Sequence, residues 1–577
     1  MRTNNLLEWL FLNHDPTEPR DWTIIPEQTA QIARAAFPKG NIYMMMRDEL
    51  GVLYSDSDFV TLFRADCGQP PISPAQLALI TIMQFAEGLS DRQTADAVRA
   101  RLDWKYALGL ELTDPGFDFS VLSEFRSRLI KSGREGQLLE QMLRSFVQKG
   151  LINATGKART DSTHVLAAIH QLNRIECVAE TLRHALNELV SIAPEWLKKQ
   201  VSIDWFDRYG SRLEQSRLPQ TKQQQQQLAI AIGCDGHQLL SAIYEAQAPQ
   251  QLRQQPCIEI LRRVWVQQYY LEAGVVQWRT SDHLPPHKQL ICSPYDPQAR
   301  NRTKRDVNWT GYTVHLTETC DSDKPHLITH VETTPATTGD VEMTEIIHEA
   351  LAAQDLLPGE HLVDTAYVDA QHLLTSQVKY DLDLVGPVPG DSSWQAQAAQ
   401  GFDLSCFQVD WEAERVICPM GCHSHSWGLH SDNYDNPVIR VRFRPSDCRS
   451  CSSRSLCTRS PKLPRVLTLR PQAQHLALTA ARQRQTTAQF KQRYAKRAGV
   501  EGTISQAVGA FGLRHCRYIG LAKTHLQHIA TAAAINLSRL FDWLRAVPRS
   551  QTRQSRFAAL KPLPQDNLSS QALESGA

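Results

Sequence analysis

The chain has 577 residues, 42% hydrophobic and 21% charged, with 62 basic against 61 acidic side chains for a net charge of +1. This is the composition of a soluble globular protein and excludes a chain that is disordered as a whole, and at roughly 150 residues per domain the length predicts about three or four units. The balanced total charge says nothing of an acidic or basic partner, and thirteen Cys, an odd number scattered through a large chain, fit reduced thiols better than a disulfide framework.

The first residues, Met1 to Leu10 with His14 and Asp15 close behind, offer neither a long apolar core nor a small-residue cleavage site, so no secretion signal is expected. No stretch approaches the ~18 uninterrupted apolar residues of a membrane helix, which places the expected protein in the cytoplasm without a membrane contact. From Pro74 to about Gly150 the pattern is helical: Leu77, Leu79, Ile80 and Ile82 open an apolar helix, Ser90 with Gln93 makes a capping-box start, and Leu122, Phe125 and Leu129 mark a third helix. Such short helices fit either a helix-turn-helix that touches DNA or a bundle used for dimerisation.

Around Ala158 to His164 the pattern changes, placing Asp161 just after a short strand-like segment. Helical sequence returns from about Gln171 to Tyr209, with Leu182, Leu186, Leu189 and Val190 on one stripe, and again from Ile258 to Tyr270. The polar run Gln223 to Gln227 between them is a loop or a helix surface. Trp309 to Thr319 alternates Tyr312, Val314 and Leu316 against Thr313, His315 and Thr317, and His326 to Val331 makes its hairpin partner across the turn Asp321-Ser-Asp-Lys-Pro. A helix from Asp340 to Ala353, a strand His361 to Asp364, a helix from about Asp369 and a strand from Leu382 complete an α/β layer with a mixed sheet.

After Pro387 the chain turns Cys-rich and Arg-rich. Between Arg440 and Val500 fifteen Arg or Lys stand against the single acid Asp447, the pattern of a polyanion site or of a solvated basic surface. Cys418-x3-Cys422 and Cys448-x2-Cys451, with Cys457 beyond, approach a zinc-ribbon layout in which four of the five thiolates hold Zn²⁺ and His423 or His425 can stand in for one; reduced cysteines in a loop are the plain alternative. Arg440, Arg442, Arg444, Arg449, Arg454 and Arg459 around the second pair would let such a module grip a DNA backbone. Helical sequence resumes from about Pro471 through Gln506, a last helix spans Thr524 to Leu544, and the tail is expected to be disordered.

Three acids stand out. Asp161 and Asp364 fall at the carboxyl ends of expected strands, where α/β sheets place their sites, although a lone strand-end Asp is more often a cap. Tyr494, Arg497 and Glu501, at i, i+3 and i+7, share one face of an expected helix, which offers a carboxylate, a cation and a phenol together; an ordinary surface ion pair reads the same way. His164 and His315 lie near this set but are expected to be packed histidines, because hard cations prefer oxygen.

Tyr494-x-x-Arg497-x-x-x-Glu501 resembles the signature of the DDE transposases of bacterial insertion sequences. Asp161 in Thr-Asp-Ser-Thr is similar to that family's first aspartate and Asp364 in Val-Asp-Thr-Ala-Tyr to its second. Ser293-Pro-Tyr-Asp-Pro-Gln-Ala-Arg, Trp309-Thr-Gly-Tyr-Thr-Val-His and Gly512-Leu-Arg-His-Cys-Arg-Tyr-Ile-Gly-Leu resemble the insertion-sequence group numbered eleven-eighty-two. The resemblance runs from about Pro74 to Leu544. It implies a ribonuclease H-like catalytic core whose Asp161, Asp364 and Glu501 hold two divalent ions, Mg²⁺ or Mn²⁺, for cutting transposon ends and joining them to target DNA. It also implies DNA contacts from Tyr494, Arg497, Arg514 and Lys523, and a homodimer on DNA. The signature often carries Lys seven residues after its Glu; Val508 stands there, so Lys523, Arg514 or His515 would supply that contact.

The expected organisation is therefore an N-terminal helical domain (1–150) for DNA binding or dimerisation, the first core strand (151–170), a mainly helical insertion (171–290), the core continued (291–400), a Cys/Arg-rich zinc-ribbon-like insertion (401–470), C-terminal core helices (471–545) and the tail (546–577). Two other functions fit the same residues: a ribonuclease H-like nuclease that cuts without joining, and a catalytically silent zinc-containing DNA-binding protein.

Overall fold

Residues 22–62, 72–213, 218–304, 306–398, 400–548, 557 and 560 are described by a computed structural model. The expectations for the extreme amino terminus lie outside these residues, and those for the tail beyond 546 lie largely outside them.

Local chemistry sets the first helices, α1 (Glu27–Ala36), α2 (Ile42–Leu50), α3 (Pro74–Glu87), α4 (Asp91–Ala100), α5 (Leu102–Leu108), α6 (Ser120–Lys131) and α7 (Gln137–Gln148). Ser73 caps α3 with Pro74 in its first turn, and Ser90 with Gln93 closes the expected capping box on α4. Leu77, Leu79, Ile80, Ile82 and Met83 of α3 are all buried, so this helix is apolar nearly all round and belongs to an interior.

β1 (Lys157–Leu166) begins the main sheet. The chain then leaves it for a unit built on α8 (Arg174–Ile192), α9 (Pro194–Lys198), α10 (Ile203–Tyr209), α11 (Lys222–Tyr244) and α12 (Pro256–Gln268), followed by a small hairpin of β2 (Tyr269–Glu272) and β3 (Val275–Trp278). Val178, Leu182, Leu189, Trp205, Leu239 and Leu261 pack there around a cluster of their own. Gln223 to Gln227 opens α11 as helix surface, capped by Thr221. Within that helix a Cβ at Gly236 would sit 2.0 Å from the Trp265 ring, so the glycine is there for close approach and not as a breaker.

The sheet resumes with β4 (Arg300–Lys304), β5 (Val307–Thr319) and β6 (Ile328–Pro335), then α13 (Thr344–Ala353), β7 (Glu360–Leu362), α14 (Ala370–Tyr380) and β8 (Asp383–Val385). Its order is β4-β5-β1-β7-β8, with β6 also paired to β5. β4, β6 and β1 run antiparallel to β5, whereas β1, β7 and β8 are mutually parallel. The expected hairpin at Asp321 to Pro325 is present, and the mixed sheet with its flanking helices is consistent with a ribonuclease H-like core. One expectation is corrected: Asp161 is not just past a strand but in the middle of β1, because thirteen-residue β5 gives β1 a partner along the whole run from Ala158–Thr319 to Leu166–Gly311.

After α15 (Trp394–Ala398) comes a small β-rich unit: β9 (Gln408–Asp410), β10 (Arg415–Ile417), β11 (Ser426–Ser431), β12 (Pro437–Arg442), the short helices α16 (Pro445–Arg449) and α17 (Arg454–Cys457), and β13 (Val466–Leu469). These strands were not expected, although Ile439, Val441 and Phe443 alternate with Arg440, Arg442 and Arg444 along and just past β12. Among the described residues four helices follow: α18 (Gln472–Gln485), α19 (Ala488–Tyr494), α20 (Gly499–Phe511) and α21 (Leu521–Leu544). α21 packs on both α3 and β6, so the amino-terminal helices and the sheet share one continuous apolar core. Among the described residues no helix is long and apolar enough to cross a membrane.

Candidate active site

The register of β1 places two of the three acids together. Its parallel ladder with β7 runs only from Lys157–Glu360 to Arg159–Leu362. Asp161 and Asp364 each lie two residues past that last pair, where β7 has turned into a 3₁₀ segment, Thr365–Tyr367, that Asp364 caps by accepting the Ala366 N–H at 2.8 Å. Asp161 accepts the Ser162 N–H at 2.8 Å.

The third acid arrives from the far end of the chain. Tyr494 ends α19, Arg497 lies in a 3₁₀ turn (Ala495–Ala498), and Glu501 is in the first turn of α20. The continuous helix expected across these residues is therefore broken by one tight turn. Its cause is the buried Arg159 of β1, whose guanidinium donates to the Lys496 carbonyl at 2.5 Å and competes with the helical ladder. α18 and α19 are clamped to the sheet edge by Arg484 on Asp383 (2.6 Å) and by Arg493 on Glu360 and Asp383 (2.6 Å each).

Arg497 reaches Asp161 at 2.5 Å and Glu501 at 2.7 Å, and feels the charge of Asp364 as well. Burial pushes the Asp161 carboxyl above its usual value; Asp364 and Glu501 push the same way, while Arg497 and the Ser162 N–H oppose them. Arg497 is held above its usual value, since Asp161, Tyr494, Asp364 and Glu501 outweigh the burial of its charge. Tyr494 stacks on Phe490 at 5.6 Å and walls the group.

Three carboxylates against one guanidinium leave this half-buried spot short of positive charge, and hard oxygen donors are what a divalent cation takes. The donor chemistry fits such an ion. As they stand the side chains form an ion-pair cluster, and among the described residues no three His, Cys, Asp or Glu close into a ready ligand set.

A second network, invisible in the sequence reading, holds the first in place. Glu318 of β5 is fully buried and pairs with Arg159 across the β1–β5 register and with Arg539 of α21, each at 2.6 Å, while Thr503, two residues after Glu501, donates to it at 2.6 Å. Burial would raise the Glu318 carboxyl, but Arg539, Arg159 and Thr503 together hold it below its usual value. The signal was present: Glu318 continues the inward face of Tyr312, Val314 and Leu316, where a charge has to be paired. Ser162, beside Asp161, donates to buried Asp340 at 3.1 Å, and Lys304 pairs with that acid at 3.5 Å.

The remaining expected residues lie close by or on the surface. Arg514 donates to Thr163 at 3.0 Å and accepts the Leu166 N–H at 2.7 Å, which fixes it against the end of β1. Lys523 is exposed in the first turn of α21. Val508 packs against the main core, so its position faces inward and does not present a cation. His164 lies against Trp309, and His315 is buried on the Tyr367 hydroxyl at 2.6 Å, both with their pKa lowered by burial.

Behind β1 the buried His361 hydrogen-bonds Thr160 at 2.7 Å and His348 at 2.9 Å. Burial pushes His348 down to about 4, His528 of α21 to about 3, and His361 well below its usual value. These rings are neutral when folded and take up protons near pH 6.5 when unfolded. Stability is therefore fully present above pH 6.5 and falls as pH drops toward about 4. A thermal midpoint lower at pH 5 than at pH 7.5 is the expected result, and an unchanged midpoint would contradict it.

A mixed sheet that sets a mid-strand Asp161 and Asp364, just past β7, beside Glu501 of an adjoining helix is an arrangement suited to cation-dependent phosphoryl transfer. Residues 417–541 match a family model described as Transposase DDE domain, and residues 33–128 match one described as Transposase domain (DUF772). No curated protein matches the chain significantly. The first match contains Glu501 and the cysteine-rich unit from the end of β10 onward, the second spans most of α1 to α6, and Asp161 and Asp364 fall outside both. Together the two matches support a DDE-type transposase family and indicate a transposase function, which implies DNA as partner and the use of a divalent metal.

Proposed function

We propose that this chain is the transposase of a bacterial insertion sequence of the group numbered eleven-eighty-two, binding the element's terminal repeats, cutting there and joining the freed ends to target DNA. One observation carries the reading: Asp161, Asp364 and Glu501, far apart in sequence, meet with Arg497 over the central strands β1 and β7 of a mixed sheet. In this reading a ribonuclease H-like core (151–170, 291–400 and 471–545) is interrupted by the helical unit and by the cysteine-rich unit. Two copies pair the two ends on DNA.

Asp161, Asp364 and Glu501 are the residues that would hold Mg²⁺ or Mn²⁺. When bound, such ions supply the Lewis-acid chemistry that activates an attacking water or 3′-hydroxyl and stabilises the leaving 3′-oxygen. The chain's own part is to position and to screen. The half-buried Asp161 keeps the site partly dry, which strengthens every charge interaction in it. Arg497 offers a planar fork for a phosphate, Tyr494 forms a wall beside it, and Arg514 and Lys523 extend the cationic path. Water attack frees the 3′ ends, whose hydroxyls then attack target phosphodiesters in line, with no covalent enzyme intermediate.

The test is a labelled DNA carrying the element's own ends, incubated with Mg²⁺, with Mn²⁺ or with EDTA. Metal-dependent joined products support the proposal. Cutting without joining would make the chain a nuclease, and binding without cutting would make it a silent DNA-binding protein. Arg497→Gln, if Arg497 grips one phosphate, should weaken end binding and reduce the slope of log K against log salt by about 0.9; an unchanged slope would remove Arg497 from the DNA interface.

A further inference from the structure

The cysteines of the β-rich unit take no part in the proposed reaction, yet the fold gathers them. Cys418 follows β10 and enters a tight turn through Pro419, Met420 and Gly421 to Cys422. The Gly421 N–H donates to the Cys418 carbonyl at 2.8 Å, the Cys418 N–H donates to the Cys422 carbonyl at 2.9 Å, and Gly421 takes a φ of +81°. The Cys422 N–H is aimed at the Cys418 sulfur, 3.3 Å away. Cys448 and Cys451 sit at the end of α16 and Cys457 ends α17.

All five thiols line a single cavity of about 270 Å³, together with Phe402, Phe407 and Phe443 and the guanidinium groups of Arg454 and Arg465. Arg454 donates to the Cys448 carbonyl at 2.8 Å and Arg465 to the Cys457 carbonyl at 3.1 Å, so these two arginines belong to the cysteine loop and not to an outer, DNA-facing surface. Cys418, Cys448 and Cys457 pack on the same apolar cluster, and Cys457 feels the charges of Cys418, Cys448 and Cys451. Cys422 lines the same cavity and directs both its backbone N–H and its thiol to the Cys418 sulfur, and His425 directs Nδ1 to the Arg442 carbonyl at 3.1 Å. The twelve cysteines among the described residues are all free thiols.

The size of the unit gives an independent reason for a staple. Its cluster has only seven buried apolar side chains, Phe407, Val416, Ile439, Val441, Phe443, Leu467 and Leu469, too thin a core to hold a loop-rich fold by burial alone.

We propose that Cys418, Cys448, Cys451 and Cys457 hold one structural Zn²⁺ as a tetrathiolate, with Cys422 supplying an N–H bond to the Cys418 sulfur and no ligand. Closing the set on one ion takes rotation about the cysteine χ1 bonds from the positions described. Four soft thiolates in tetrahedral array select zinc over the hard cations proposed for the acid cluster. The set carries a net charge of −2 with the ion bound, and Arg454 and Arg465 stand beside it. Binding releases the thiol protons, and its free energy becomes folding free energy of the unit that displays the exposed Arg442, Arg444, Arg449 and Arg459.

The full chain, purified without chelator, is expected to contain one zinc per molecule by elemental analysis. Cys418→Ser, Cys448→Ser, Cys451→Ser and Cys457→Ser each lose it, whereas Cys422→Ser and Asp161→Asn retain it, the latter because this site is separate from the acid cluster. Should the serine variants fail to fold, Co²⁺ added to the zinc-stripped wild type decides the question through the strong visible absorption of tetrahedral thiolate cobalt. Wild type that holds no zinc and gives no such spectrum would overturn the proposal, and zinc loss in Cys422→Ser would overturn its ligand assignment.

Discussion

Asp161→Asn, Asp364→Asn and Glu501→Gln are each expected to lower metal-dependent cleavage and joining by ~10³-fold or more while leaving DNA binding in place. Each change keeps the shape of the side chain and removes one anionic oxygen from a three-carboxylate set. A cation held by two acids binds more weakly and is placed less well, and a loss of about 4 kcal/mol of transition-state stabilisation corresponds to that factor. Asp161→Asn separates this effect from damage to the fold. Burial, Asp364 and Glu501 raise the Asp161 carboxyl above its usual value, so its charge works against the folded state. The variant should melt no lower than the wild type while being inactive, as expected where a site is kept at the expense of stability. Activity that survives all three substitutions would mean that the chemistry lies elsewhere.

Glu318→Gln is expected to be the most destabilising polar substitution in the core, costing about 3–5 kcal/mol, because it leaves the Arg159 and Arg539 guanidiniums without their anion. The main transition in a urea titration should shift accordingly, and a shift worth less than ~1 kcal/mol would show that the network does not hold the fold. The wild type should show the same interaction through pH. Glu318 is held below its usual value, so its contribution is fully present above the unfolded carboxyl pKa and is lost as pH falls through the lower folded one. Because Thr503 donates to Glu318 from the helix that carries Glu501, the variant should also lose activity in parallel with stability, unlike Asp161→Asn.

Much of the architecture was legible because its causes are local. The capping box at Ser90 and Gln93, the apolar periodicity of α3, and the turn between β5 and β6 each lie within one short window. The full length of α11 was not legible from its opening Gln223 to Gln227, and the reason for Gly233 and Gly236 within it emerges only when Tyr269 and Trp265 are placed against them. The strands of the cysteine-rich unit were missed: Ile439, Val441 and Phe443 do alternate with Arg440, Arg442 and Arg444, but that run was read for its charge, and β9 and β10 are too short, at three residues each, to show alternation.

By itself the sequence determined the types of most elements and the spacing of the cysteines, and it singled out Asp161, Asp364, Glu501 and Arg497 as candidates, all from properties of neighbouring residues. Only the tertiary structure decided where those residues meet. The length of β5 sets Asp161 in mid-strand, the early end of β7 brings Asp364 beside it, and Arg159 breaks the helix between Tyr494 and Glu501 by taking the Lys496 carbonyl. The same holds for the pairing of Arg159 with Glu318 and for the assignment of Arg454 and Arg465 to the cysteine loop. The physical reason is that hydrogen bonds and ion pairs between residues far apart in the chain depend on which surfaces become adjacent on folding, and no local window of sequence contains both partners.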